Sequence, residues 1–447
     1  MRASRETFGS RAGVVLTTIG VAVGLGNVWR FPYMTGRFGG AAFVLFYVLV
    51  TVVIGVPALM AELALGRHTR RGTVGAFEIS GLPAGRGIGW FLFIVVTAAT
   101  AYYTNVIGWV LWYALAHALD AAGLTLDAAA ILPPGTGFSV RSLLLQMICT
   151  IVVIGCCACV LVAGVRRGIE RVSRLVTPLI FLSLLVLIVR GMSLPGARGG
   201  IDWFILKFGL SDLDAGVMAA AMGQAIFSLS LGGTFMVVYG SYLGDGIDLR
   251  RTATWTAAGD VLAGLLAGLA IFPAVFAFGI EPGGGPVLLF ETLPLVFDRM
   301  PGGPLFGLVF FAGLAGGAFL SDVAAFEVLV AGLVDNTALD RRRAVAFMAC
   351  AVFLLSIPPM INLNIFIPWD LTFGSGMQTL GALLTVLAVG WCMDRASALH
   401  ELSKGGTRVH PALVVWLRYA VPLAILAAGA WWIAQELLGL GRPAAMD

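Results

Sequence analysis

Eleven mostly apolar stretches, each long enough to form a membrane-crossing helix of about 20 residues, run through this chain and leave it little choice of solvent. They fall near 12–38, 41–66, 88–118, 141–164, 172–190, 216–243, 252–280, 304–334, 344–362, 370–393 and 411–438. Several exceed the minimum, so they are expected to tilt or to be broken. Composition agrees: 59% of the 447 residues are hydrophobic and 12% charged, where soluble domains carry roughly 45–50% and about 25%. That charge cannot cover a water-soluble core, which excludes soluble enzymes, secreted disulfide scaffolds, disordered chains and nucleic-acid binders. The expectation is an all-α integral membrane protein.

Basic residues set the orientation. With the N-terminus in the cytoplasm, nineteen of the 28 Lys and Arg lie on the cytoplasmic side and eight on the other. Eleven spans then send the C-terminus outside. The clusters need no nucleic-acid partner; they are the orientation signal. The first apolar run follows Arg2, Arg5 and Arg11 without a small-residue cleavage site, so it reads as a span and not as a removable leader. No domain boundary interrupts 1–447. Cys149, Cys156, Cys157, Cys159, Cys350 and Cys392 all fall in apolar runs and read as buried, unpaired thiols.

Two spans look interrupted. Span 1 carries Gly20-Val21-Ala22-Val23-Gly24-Leu25-Gly26-Asn27-Val28-Trp29-Arg30-Phe31-Pro32, a costly sequence for a continuous helix in hydrocarbon. Span 6 carries Phe227-Ser228-Leu229-Ser230-Leu231-Gly232-Gly233-Thr234, losing bulk and gaining hydroxyls at its centre. Broken helices five spans apart point to two inverted halves around a midplane site, where unwound carbonyls coordinate a cation and half-helix N-termini hold a carboxylate. The alternative, glycine for close packing, suits Gly264 and Gly268 of span 7 better than the Asn27–Arg30 stretch.

Ala22–Pro32 resembles the span 1 signature of the neurotransmitter:sodium symporter family. Gly39-Gly40-Ala41-Ala42-Phe43, Gly168-Ile169-Glu170-Arg171 and Gly223–Gly232 resemble its motifs at span 2, before span 5 and in span 6, in the same order. The resemblance implies two inverted five-helix repeats (1–190 and 216–393) with one added helix (411–438), two sodium sites, a substrate site and two gates. It also implies residence in a bacterial inner membrane.

The matching positions for the first sodium are the Ala22 carbonyl, Asn27, Ser228 and Asp260, completed by the substrate carboxylate. That shared ligand ties substrate binding to sodium binding. Asp260 brings its own negative charge, which argues for chloride independence. The second site retains Gly20, Val23, Gly317 and Ser321, but Leu320 replaces the usual threonine. One ligand is therefore lost unless water or Asp322 compensates, so one or two sodium ions are expected and no organic cofactor. Glycine at Gly24, where amine carriers of the family have Asp, looks like an amino-acid carrier. The carboxylate would meet Gly26 and Tyr103, and the amine Ala22, Phe227 and Ser230. The side chain would lie against Ala99, Phe227, Gly233, Ser321 and Ala325. Small residues at Gly233 and Ala325 predict a roomy pocket, with Asp322 adding a negative lobe.

The outer gate would be Arg30 with Asp370, bridged by Gln224 under a lid of Phe227 and Tyr103. The inner gate would be Arg5 with Asp335, beside Phe8 and Tyr242. Glu62 and Glu327 are further buried carboxylates. His68, His117, His400 and His410 carry no assigned chemistry. No phosphate-binding Gly-x-x-x-x-Gly-Lys loop is present, so an ion gradient is the expected energy source. The reading is a sodium-coupled importer of an amino acid, a carrier embedded in membrane lipid rather than an enzyme. Its alternatives are a proton-coupled carrier with a silent second sodium site, and an amino-acid sensor without net transport.

Overall fold

A computed structural model describes residues 6–209, 212–280, 289–406 and 408–434. The described chain is a bundle of helices. Nine are long and apolar enough to cross a membrane without a break: Ala41–Thr69 (span 2), Gly85–Ala121 (span 3), Val140–Val162 (span 4), Val165–Met192 (span 5), Leu249–Ala277 (span 7), Gly303–Asn336 (span 8), Arg341–Ile361 (span 9), Leu363–Cys392 (span 10) and Ala412–Trp431 (span 11). Span 1 is a pair, Arg11–Ala22 and Gly26–Phe38, bent by 50°. Span 6 is also split, into Ala215–Ser228 and Phe235–Ser241, each too short to cross alone.

Helix starts follow local chemistry. Side chains of Ser10, Ser139, Asp214, Asp248, Asp340 and Asn362 each accept a backbone N–H from the first turn they precede. This satisfies donors that a helix end would otherwise leave bare. Span 3 forms the centre, with 83% of its apolar window buried, against 33% for spans 5 and 11. The outward faces of the peripheral helices are apolar: Leu175, Leu179, Leu182 and Val189 of span 5 are all exposed. That is how a lipid-facing surface reads. Cys149 and Cys157 are buried, but Cys156, Cys159 and Cys350 are exposed on these outer faces, correcting the expectation of six buried thiols. A Cβ on Gly264 would meet the Phe31 ring at 3.4 Å and one on Gly268 the Phe204 ring at 2.2 Å, so both glycines admit aromatic rings.

Candidate functional site

The two helix breaks face each other at the middle of the bundle. After Ala22 the chain extends at Val23, and the second half-helix opens with a widened turn in which Phe31 N–H reaches back to the Gly26 carbonyl. Asn27 Oδ1 accepts the Gly24 N–H at 3.1 Å, so the side chain fixes the bend. In span 6 the left-handed residues Ser230, Gly232 and Thr234 turn the chain between its halves. Gly232 has φ +84°, and a Cβ there would lie 1.7 Å from the Gln378 carbonyl oxygen, so only glycine fits. Its N–H is held at 2.7 Å by Glu62 of span 2.

Asn27, Ser228 and Asp260 converge beside these breaks, all buried. Asn27 Nδ2 donates to the Asp260 carbonyl (2.9 Å), to Asp260 Oδ1 (2.7 Å) and to Ser228 Oγ (3.0 Å). Ser228 donates to Asp260 Oδ1 at 2.8 Å, and Tyr47 donates to Asp260 Oδ2 at 2.9 Å. Tyr47 was not anticipated, since nothing in the sequence of span 2 marks it. Asp260 supplies one full negative charge in a hard oxygen set, with Ser228 Oγ beside it and Asn27 Oδ1 on the Gly24 side. These residues fit a sodium ion.

At the second predicted site Leu320 stands where the family's usual threonine would. A Leu320 methyl carbon lies 2.8 Å from where a Gly20 Cβ would be, filling the space between the half-helix and span 8. Ser321 donates to the Val21 carbonyl at 3.0 Å. Asp322 does not compensate: its carboxylate meets Thr104 of span 3 (3.0 and 3.2 Å) and the Cys157 thiol of span 4 (3.5 Å). Gly20, Val23 and Gly317 would offer carbonyls there, and Ser321 Oγ, 3.4 Å from the Gly317 carbonyl, a hydroxyl.

A cavity of about 60 Å³ lies against the breaks. Of the predicted substrate residues, Ala22, Gly24, Gly26, Ala99, Tyr103, Phe227, Ser230, Ser321 and Ala325 line it. Gly233 and Asp322 do not. The Phe235 ring comes within 2.1 Å of where a Gly233 Cβ would be, so the space that the glycine frees is already taken. The cavity is lined by Phe235 where the Gly233 side was expected to be open, and Asp322 is not among its lining residues. Thr100, Tyr102, Phe235 and Gln378 line it unforeseen. Gly24 is essential to its shape, because a Cβ there would stand 2.6 Å from Ser321 Oγ and 2.9 Å from the Tyr103 hydroxyl.

Tyr102, Tyr103 and Phe227 separate this cavity from a second one of about 260 Å³, which Arg30 and Asp370 also line. The Arg30 guanidinium lies 4.1 Å over the Phe227 ring. Gln224, expected as a bridge, donates instead to the Gly26 carbonyl at 3.0 Å. At the opposite end Phe8 packs on Tyr239 and Tyr242. Asp335 accepts the Gly72 N–H at 2.5 Å, and Arg5 lies outside the described residues. Tyr242 donates to Glu327 at 2.5 Å, and Glu327 pairs with Arg341 at 2.6 Å. The sequence had left Glu327 without a partner.

A bundle of helices of membrane-crossing length, with two broken helices around a central cavity and a buried amide, hydroxyl and carboxylate cluster beside it, is the architecture of a secondary transporter. The sequence profile of the sodium:neurotransmitter symporter family matches residues 5–121 and 138–428. The chain belongs to that family and is a sodium-coupled, multi-pass membrane transporter. Sodium-dependent transporter YhdH of Bacillus subtilis is 32% identical over 94% of this chain and 96% of its own length. A sodium-dependent transporter of Haemophilus influenzae is also 32% identical, over 94% and 97%. A crystal structure of MhsT in complex with L-phenylalanine matches with TM-score 0.83 and 33% identity, covering 95% of this chain and 99% of that one.

Proposed function

We propose that the protein imports an amino acid, coupled to one sodium ion and independent of chloride. The observation that carries this is the Asn27–Ser228–Asp260 cluster opening onto the cavity, which Ser228 itself lines. The amino-acid class is supported by Gly24, which leaves no side-chain charge to replace a substrate carboxylate, and by the L-phenylalanine bound in MhsT. With Phe235, Phe227, Ala99 and Ala325 around it, the pocket favours an apolar side chain.

Asn27, Ser228, Asp260 and the Ala22 carbonyl would hold the ion, whose positive charge supplies an anchor for the substrate carboxylate. The Tyr103 hydroxyl accepts the Leu25 N–H at 3.4 Å and keeps its own proton for that carboxylate. Phe227 and Tyr103 exclude outer water, and Arg30 steadies Phe227 from above. The broken segments of spans 1 and 6 are the hinges on which the two inverted halves, 1–190 and 216–393, would rock. Chloride independence follows from Asp260, whose charge already balances the ion. A single sodium follows from Leu320. The carrier would sit in the inner membrane with its N-terminus inside, and an outer gate of Arg30 and Asp370.

The test is the melting temperature of purified protein with each of the twenty amino acids, in sodium and in potassium buffer. A ligand that binds the folded state raises it by mass action. Shifts for a few apolar amino acids in sodium only are expected. Equal shifts in both salts would refute sodium coupling, and none in either would refute the amino-acid assignment.

A further inference from the structure

A groove of about 750 Å³ runs along the outside of the bundle between spans 2, 7 and 11 and shares no lining residue with the cavity just described. Its walls are apolar: Val52 and Val56 of span 2, Ala258, Leu262 and Leu265 of span 7, and Leu413 of span 11. The floor is low because span 7 presents alanines there, and because span 2 widens at Thr51–Gly55, where Val56 N–H reaches back to the Thr51 carbonyl. Val52 and Leu262 are 60% and 49% exposed, so this surface is open.

Both charged or titratable groups of the groove, Arg250 and His410, sit at one end, where spans 7 and 11 begin. Arg250 is exposed and makes no hydrogen bond or ion pair with any described residue. His410 is exposed, and its Nδ1 accepts the Ala412 N–H at 3.2 Å, so Nε2 carries the proton of the neutral ring. No carboxylate lines the groove. The nearby Asp248 is turned into the first turn of span 7, accepting the Arg251 N–H at 3.0 Å.

Length matches a lipid. From Arg250 to Leu265 span 7 rises about 22 Å at 1.5 Å per residue. Half a hydrocarbon core is about 15 Å, and the remainder reaches into the headgroup layer. A surface that is cationic at the interface and apolar down to the midplane has the profile of one anionic phospholipid, phosphate at one end and acyl chain along the rest. We infer that this groove binds an anionic glycerophospholipid of the leaflet that faces Arg250, its phosphate held by Arg250 and His410 and one acyl chain lying against spans 2 and 7. Ala257 and Val261, which also line the groove, flank Asp260 on the same helix, so the bound lipid braces the helix that carries the ion-site carboxylate.

The test uses the full-length protein, delipidated in detergent and titrated with phosphatidylglycerol or with phosphatidylcholine of the same acyl chains, with bound lipids counted by native mass spectrometry. The first phosphatidylglycerol is expected to bind at least about fivefold more tightly than phosphatidylcholine, the gain from one well-placed basic residue. Arg250→Gln removes that preference and leaves phosphatidylcholine binding unchanged. Ala258→Trp, which plugs the groove from an exposed position, removes the first-bound molecule of either lipid. Melting curves establish that both variants fold. Equal affinity for the two lipids in the unaltered protein would overturn the inference, as would a preference that survives both substitutions.

Discussion

Replacing Asp260 by Asn isolates the charge of the ion site from its shape. The carboxylate is fully buried and accepts from Asn27 at 2.7 Å, Ser228 at 2.8 Å and Tyr47 at 2.9 Å. An amide fills the same volume. Its nitrogen faces Tyr47, whose hydroxyl turns to accept and can donate instead to Ser228 Oγ, 3.4 Å away, so the swap strands at most one amide N–H. What is lost is the one formal negative charge in the set. An interaction with a charged group contributes about 1.5–3 kcal/mol, so the half-saturating sodium concentration should rise about 10- to 150-fold. The assay is the substrate-induced melting shift titrated with sodium at constant ionic strength. Substrate affinity at saturating sodium should change far less. A half-saturation within about twofold of the unaltered protein, for a variant that melts normally, would refute the assignment of Asp260 as the ion's charge partner.

Four further substitutions test other parts of the account. Leu320→Thr removes the methyl group beside Gly20 and restores a hydroxyl; the Hill coefficient for sodium in substrate binding should rise from about one toward two. Gly24→Ala puts a methyl 2.6 Å from Ser321 Oγ. The overpacking costs about 1–3 kcal/mol, and the substrate-induced melting shift should vanish while the fold persists. Arg67→Ala leaves Glu401 buried without its 2.5 Å partner and should destabilise by about 3–5 kcal/mol in a denaturant melt. Arg70→Ala, at a pair whose Asp245 is 61% exposed, should cost no more than about 1 kcal/mol.

Most of the architecture was legible because each span announces itself by an apolar run, and both breaks by residues a membrane helix cannot absorb. Asn27, Ser228 and Asp260 were picked out by the family resemblance, and the fold brings these three buried polar groups into contact, as polar groups in hydrocarbon must meet one another. Direction was harder to read. Asp322 follows Ser321, which faces the cavity, and one residue along a helix turns about 100°. That turn carries its carboxylate to Thr104 and Cys157. Phe235 fills the space beside Gly233 because Thr234, at φ +57°, reverses the chain just before it, and no periodicity encodes that turn. The pairing of Glu327 with Arg341 joins two helices across a short loop, and Tyr242 reaches it from span 6. Only the packed bundle brings those three together.

The central claim is that a sodium gradient drives amino-acid accumulation through this chain. The direct measurement is uptake of a radiolabelled amino acid, chosen by the melting screen, into proteoliposomes with sodium outside and potassium inside, in chloride and in gluconate. The account predicts transient accumulation above equilibrium, equal in both anions, that collapses when an ionophore dissipates the sodium gradient. Uptake that only equilibrates, or that proceeds equally with potassium on both sides, would contradict it.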